Sequence, residues 1–328
     1  MKSTLLLSAA AAAVAQGATI NQSKAQEVQT GTCAFPHGKG MVAVQTEGKN
    51  AGWAMHSDQE CKPGTWCPYA CPAGQLMGQW NPQVTAYTYP GSMEGGLFCD
   101  ESGNLQTPYP DKPYCYDGKG TVIAENKAGA DVAFCQTVLP GNEEMLIPTL
   151  VGGGSSQTLA VPGTDYWAGT AAHYYVNPPG VSVKDACIWG TKENARGNWA
   201  PYVTGANQDA EGNTFVTVGW NPIYLEPETP FRNVKPSYGL RIVCDNEEDC
   251  VGLPCGIDPS VNGVNEIQGS GSTGAGGANF CVVTAKKGAK ARVEVFSTGG
   301  NAKRSLEHTH NRGNLSDIHR TVTTIAMN

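Results

Sequence analysis

Asp209-Ala210-Glu211-Gly212-Asn213-Thr214-Phe215-Val216-Thr217-Val218 is a turn that runs into a strand. Asp, Gly and Asn cluster where the chain reverses. Apolar and polar residues then alternate with a period of two, which places one set of side chains on one face of a pleated strand. Three further stretches carry the same signature: Leu240–Cys244, Phe280–Thr284 and Ala291–Phe296. The last two flank Lys287-Gly288 and predict a closing hairpin. Pro90-Gly91, Pro140-Gly141, Pro162-Gly163 and Pro179-Gly180 punctuate the middle of the chain as turns. Thr164 to Tyr174 is the one stretch that suits a modest helix. Gly269 to Gly277 predicts a flexible loop, not a phosphate cradle, because no Lys-Ser/Thr follows it and no helix opens after it. Short strands separated by regular turns give an all-β class, a sandwich or barrel with short helical or loop excursions.

The covalent frame follows from the compartment. Lys2 and the Leu- and Ala-rich run from Leu5 to Val14 form a secretory signal, with small residues at Ala13, Ala15 and Ala18 for its peptidase. That run is shorter than the roughly 20 apolar residues a membrane span needs. Twelve cysteines follow it: Cys33, Cys61, Cys67, Cys71, Cys99, Cys115, Cys135, Cys187, Cys244, Cys250, Cys255 and Cys281. An even count in a secreted chain is a disulfide framework whose pairing spacing alone leaves open. Cys67-x3-Cys71 and Cys250-x4-Cys255 have spacings that zinc could use, but an oxidising compartment favours bridges, so no metal and no cofactor is expected. The net charge of −7 disfavours nucleic acid. Low charge with 41 Gly and 21 Pro suits turns and short strands and leaves an uncharged partner such as a polysaccharide open.

The chain divides into a signal peptide at 1–18, a polar segment at 19–50, a folded domain at 51–297 and a tail at 298–328. The domain holds eleven of the cysteines and all seven Trp. The tail carries Lys303-Arg304, a dibasic protease site, and a sequon at Asn314-Leu315-Ser316; a second sequon is Asn21-Gln22-Ser23. A mobile tail, a monomer and no membrane insertion are expected.

Two residue classes point to chemistry. Glu143 and Glu144 follow a Pro-Gly turn, Asp165 precedes Tyr166-Trp167, and Glu226 lies in Leu-Glu-Pro-Glu-Thr-Pro. Glycoside hydrolysis needs two carboxyls flanking the scissile bond, and these four are the catalytic candidates. Trp167, Tyr175, Trp199, Trp220 and Tyr224 crowd among Asn, Asp and Pro. Rings beside polar groups suit the apolar faces and hydroxyls of sugars, although the same rings serve equally as core. A solvated surface carboxylate is likewise the ordinary fate of any one acid.

Cys61-x5-Cys67-x3-Cys71, Gln79-Trp80-Asn81-Pro82 and Gly95-Gly96-Leu97-Phe98-Cys99-Asp100 stand in one order with three later motifs. These are Leu139-Pro140-Gly141-Asn142-Glu143-Glu144-Met145, Tyr166-Trp167-Ala168-Gly169-Thr170 and Gly219-Trp220-Asn221-Pro222. Together they resemble the fungal SUN family of secreted cell-wall proteins, over about residues 52–297. The resemblance implies an extracellular, wall-associated protein that binds β-1,3-glucan, with glucosidase- or exo-glucanase-type activity and roles in septation and wall remodelling. It supplies no catalytic pair. Gly239–Cys244 with Cys250-Val251-Gly252-Leu253-Pro254-Cys255 looks like the Cys-rich turn of thaumatin-like β-sandwiches, which implies a disulfide-rich, thaumatin-like fold. The expectation is a glycosidase or transglycosylase acting on β-1,3-glucan or another wall polysaccharide. A non-catalytic glucan-binding wall module is the alternative, and a small secreted inhibitor the third reading.

Overall fold

The computed structural model describes residues 31–87, 94–137, 140–141 and 146–299. The N-terminal part is built from short strands: β1 (Thr65–Cys67), β2 (Gln75–Met77), β3 (Leu97–Cys99), β4 (Leu105–Gln106) and β5 (Cys115–Asp117). They form two small antiparallel sheets, β1-β3-β4 and β2-β5. Strands of two or three residues bury little by themselves. This lobe is held instead by a core of its own, in which Trp53, Tyr69 and Leu97 are buried with Phe35 and Val44. Three disulfides run through it: Cys33–Cys99, Cys61–Cys67 and Cys71–Cys115. From residue 31 onward, the segment expected as a polar extension is therefore part of the fold. Cys33, Phe35 and Val44 are buried, and Val42 and Val44 bridge to Ala70 and Gly52. Three apolar residues at that spacing and one covalent bond outweigh the polar average of the stretch.

The rest of the described chain is a sandwich. Its strands are β6 (Val122–Lys127), β7 (Val132–Thr137), β8 (Leu146–Val151), β9 (Ser156–Thr158), β10 (Ala172–Val176), β11 (Tyr202–Gln208) and β12 (Thr214–Trp220). There follow β13 (Tyr238–Cys244), β14 (Cys250–Val251), β15 (Gly256–Ile257), β16 (Gly271–Thr273), β17 (Asn279–Ala285) and β18 (Ala291–Ser297). One sheet runs β14-β17-β12-β11-β10-β7-β8 with β16 on β17; the other runs β15-β13-β18-β6-β9. The alternation read in the sequence is the alternation of burial. Thr214, Val216 and Val218 face inward from β12, and Ala291, Val293 and Val295 from β18. These inner faces, with Val122, Phe134, Tyr174, Tyr202, Leu240 and Val283, make one shared core between the two layers. Cys135–Cys187, Cys244–Cys250 and Cys255–Cys281 complete the six bridges. Neither zinc-like cysteine spacing closes on itself, because each of those sulfurs is bonded elsewhere in the chain.

The four predicted strands all form, but β17 and β18 are not a hairpin. β17 pairs with β12 in one sheet, whereas β18 pairs with β13 and lies parallel to β6 in the other. Both strands have an apolar face, and the turn at Lys286–Ala289 carries the chain across the sandwich so that the two faces meet in the core. Nor does a helix form over 164–174. A 3-10 turn at Trp167–Gly169 gives way to β10, whose period-two burial draws Ala172, Tyr174 and Val176 into the core. The α-helix among the described residues is a single turn, α1 (Val183–Ala186), capped by Ser182. Gly271–Thr273, expected to be loop, adds to the sheet edge by pairing with β17.

Candidate functional site

Three carboxylate settings among the described residues differ in access and partners. The first is a ladder on the outer face of the five-stranded sheet. Glu125 and Glu294 are in register on the parallel strands β6 and β18. Side by side they resemble a catalytic pair, but cations close the site. Glu294 is 1 % exposed and is bonded to Lys127 and Arg241, while Glu125 pairs with Lys127 at 3.6 Å and Arg292 at 3.2 Å. A carboxylate shut off from solvent between two cations is a structural tie.

The second setting holds the acids read from the sequence. Asp165 is exposed and pairs with Lys119 at 3.2 Å. Burial acts to raise its pKa, but the Lys119 hydrogen bond and charge prevail and hold the carboxyl below the usual carboxylate range. Glu226 is exposed in the loop after β12, where its backbone carbonyl accepts a bond from Thr229. Asp165 pairs with Lys119 and not with Glu226. Glu143 and Glu144 lie outside the described residues. The expected ring platforms are mostly core. Trp167 donates its indole N–H to Val84 O at 2.7 Å, Trp220 donates to Glu266 O at 2.9 Å, and the Tyr224 hydroxyl donates to Val234 O at 2.6 Å. All three rings are buried, with Trp220 edge-on to Tyr202. Tyr175 and Trp199 are half-buried, and Tyr175 packs toward the Cys135–Cys187 bridge. Trp and Tyr can satisfy a polar tip while burying a large ring, and the core takes them for that reason.

The third setting is a groove in the N-terminal lobe that encloses about 800 Å³. Its lining includes His56, Asp58, Glu60, Lys62, Trp66 and Glu94. Trp66 is half-exposed on β1, directly opposite Phe98 on β3, with ring centroids 5.2 Å apart. A cross-strand aromatic pair of this kind fixes a ring face at the surface. The loop that presents Trp66 is closed at its base by the buried Cys61–Cys67 bridge.

Glu94 is half-buried and positioned from both sides. Its backbone N–H donates to Pro140 O at 2.9 Å, and its carbonyl accepts from Asn81 N–H at 2.7 Å. The Asn81 side-chain oxygen accepts from Gln83 N–H at 3.0 Å, which turns the amide nitrogen toward Glu94 Oε2 at 2.9 Å. The next two residues are glycines for steric reasons. A Cβ on Gly95 would stand 2.7 Å from Pro140 O, and one on Gly96, at φ +91°, would stand 1.9 Å from Cys67 O. Asn81, Gly95 and Pro140, far apart in sequence, thus converge around one carboxylate. Sequence reading passed over Glu94, Asn81, Trp66 and His56. The available signal was a lone acid directly before a Gly-Gly pair, beside two motifs whose residue types have no local explanation.

The family model described as Beta-glucosidase (SUN family) matches residues 28–283. The chain belongs to the SUN family. This SUN-family chain is 67% identical over 272 residues to the protein YMR244W of Saccharomyces cerevisiae, covering 82% of this chain and 77% of that one. It is 54% identical to the probable secreted beta-glucosidase adg3 of Schizosaccharomyces pombe, covering 84% of this chain but only 24% of that one. Among solved structures it is similar to the thaumatin-like xylanase inhibitor TLXI, at 12% identity and a TM-score of 0.28 over 54% of this chain and 97% of that one. The sandwich stands on its strand pairing and shared core rather than on that likeness. The SUN-family chain is a secreted protein braced by disulfides, as its named relatives and its six bridges agree. No helix among the described residues is long and apolar enough to cross a membrane.

Proposed function

We propose that this SUN-family protein is a wall-remodelling glycosidase or transglycosylase that acts on β-1,3-glucan at the groove of the N-terminal lobe. The observation that carries the reading is Glu94. It is an accessible carboxylate held by Asn81 on the wall of a groove that also offers the ring face of Trp66. An amide N–H addresses the carboxylate as an acceptor, the arrangement that a nucleophile or base requires. The groove carries no unpaired cation to demand an anionic ligand, since Lys62 faces Glu60 at 3.5 Å. A neutral sugar can lay its C–H face on Trp66 and bring its anomeric carbon to Glu94.

Hydrolysis also needs a proton donor. Glu143 and Glu144 are the sequence's candidates. Three to four peptide units, about 10–14 Å at full extension, separate them from Pro140, the residue that bonds Glu94. An action in septation follows from the same chemistry, since separating daughter cells requires glucan to be cut or rejoined.

Reducing-sugar release from laminarin and sedimentation with insoluble glucan test the reading. Glu94→Gln is expected to lower turnover by roughly 10³-fold or more while leaving sedimentation intact. Trp66→Ala is expected to weaken binding roughly 2- to 10-fold. Wild-type protein that sediments with glucan yet releases no sugar would establish the binding module instead.

A further inference from the structure

We propose that His56, held by Asp58, is the proton donor of the groove. The inference rests on the reading of Glu94 as the reacting carboxylate and names the acid that the reading leaves open.

The lobe builds a fixed imidazole. Trp53, Ala54 and Met55 are buried immediately before it, which anchors the chain on the lobe core. His56 then opens a tight turn, in which Gln59 N–H donates to His56 O at 2.9 Å and Gln59 Oε1 accepts from His56 N–H at 3.2 Å. The ring is 20% exposed, and its Nδ1 lies 2.5 Å from Asp58 Oδ1. A carboxylate on Nδ1 fixes the ring's orientation and leaves Nε2 as the nitrogen that can address a substrate. Orientation by a carboxylate is how other enzymes aim a catalytic histidine.

The remaining groups on the groove do not compete. Asp58 is occupied by the ring, and Glu60 faces Lys62. Lys62 is itself taken up by Glu60 at 3.5 Å. Glu94 takes a donor from Asn81 and so stands as an acceptor. Among the described residues that line the groove, His56 is left as the group with a proton to give and a partner to hold it. His56 and Glu94 both line this groove of about 800 Å³.

In the step, the His56 Nε2–H proton passes to the glycosidic oxygen as its bond to the anomeric carbon breaks, and the leaving sugar departs as an alcohol. Glu94 either bonds to that carbon or takes a proton from the water that does. Neutral His56 recovers its proton from the incoming water or from solvent.

The test compares two substrates. A laminari-oligosaccharide has a poor leaving group and needs the acid, whereas a 2,4-dinitrophenyl laminaribioside does not. His56→Gln is expected to lower kcat/KM on the oligosaccharide roughly 10²- to 10⁴-fold. On the dinitrophenyl substrate it should change the rate less than about threefold, by the same logic of acid assistance. Asp58→Asn, which keeps the ring but loses its anchor, should lower the oligosaccharide rate less than His56→Gln does. Glu94→Gln should be slow on both substrates. If His56→Gln slows both equally, or neither, while Glu94→Gln still abolishes turnover, the proposal is overturned, the groove reading stands and the donor passes to Glu143 or Glu144. If Glu94→Gln is fully active, or the wild-type protein turns over neither substrate, both fall together. Circular dichroism and the melting temperature of each variant separate a lost proton donor from a lost fold.

Discussion

Removing the Cys33–Cys99 bridge should cost about twice as much stability as removing Cys61–Cys67, although both are buried in the same lobe. Each cross-link restricts the unfolded chain according to the loop it closes. The separations are 66 and 6 residues. Chain-entropy bookkeeping gives about 4.4 kcal/mol for the first and about 2.2 kcal/mol for the second at 25 °C. Replacing both cysteines of a pair with alanine removes the same atoms in each case, so transfer and cavity contributions largely cancel in the comparison. The remaining difference of about 2 kcal/mol is roughly thirtyfold in the folding equilibrium. Urea unfolding of the two double variants, followed at the Trp53 indole, measures it. That indole N–H donates to Cys33 O at 2.9 Å and reports the lobe directly. Equal losses, or a larger loss for Cys61–Cys67, would refute the view that the long bridge secures the lobe and the short one only shapes the groove.

Two further predictions concern the fold around the sites. Burial pushes the His173 pKa down to about 4. Its folded value lies below its unfolded value of about 6.5, so the neutral ring's full contribution is present above about pH 6.5 and declines as the pH falls toward 4. Acid titration of stability should show this loss, and His173→Gln should flatten it. Gly96→Ala forces a Cβ to within 1.9 Å of a carbonyl oxygen at φ +91°. The loss expected is about 3–5 kcal/mol from combined overlap and backbone strain, visible as a lowered melting temperature or failed secretion.

Most of the large sandwich was legible in the sequence because a strand with one face in a core must alternate. Thr214–Val218 and Ala291–Phe296 announced themselves by that rule, and an even cysteine count in a secreted chain announced the bridges. The partners of those strands were not legible. Alternation states that β17 and β18 each have an inner face, but not that the inner faces belong to opposite layers. That depends on which strands far away in sequence, β12 and β13, complete each sheet. The rings show the same limit. Trp167 and Trp220 have the composition of a sugar platform and the surroundings of a core, because one indole satisfies both and only its neighbours in space decide.

The sequence by itself determined the class, the presence of a disulfide frame and the family, since these rest on periodicity, residue counts and motif order, while the pairing of the cysteines came from the structure. Only the tertiary structure decided that Glu94 lines a groove with an amide bonded to it. Glu94 matters because Asn81 and Pro140, thirteen and forty-six residues away, bond to it, and a carboxylate's chemistry is set by what lies within a few ångströms rather than by what adjoins it along the chain.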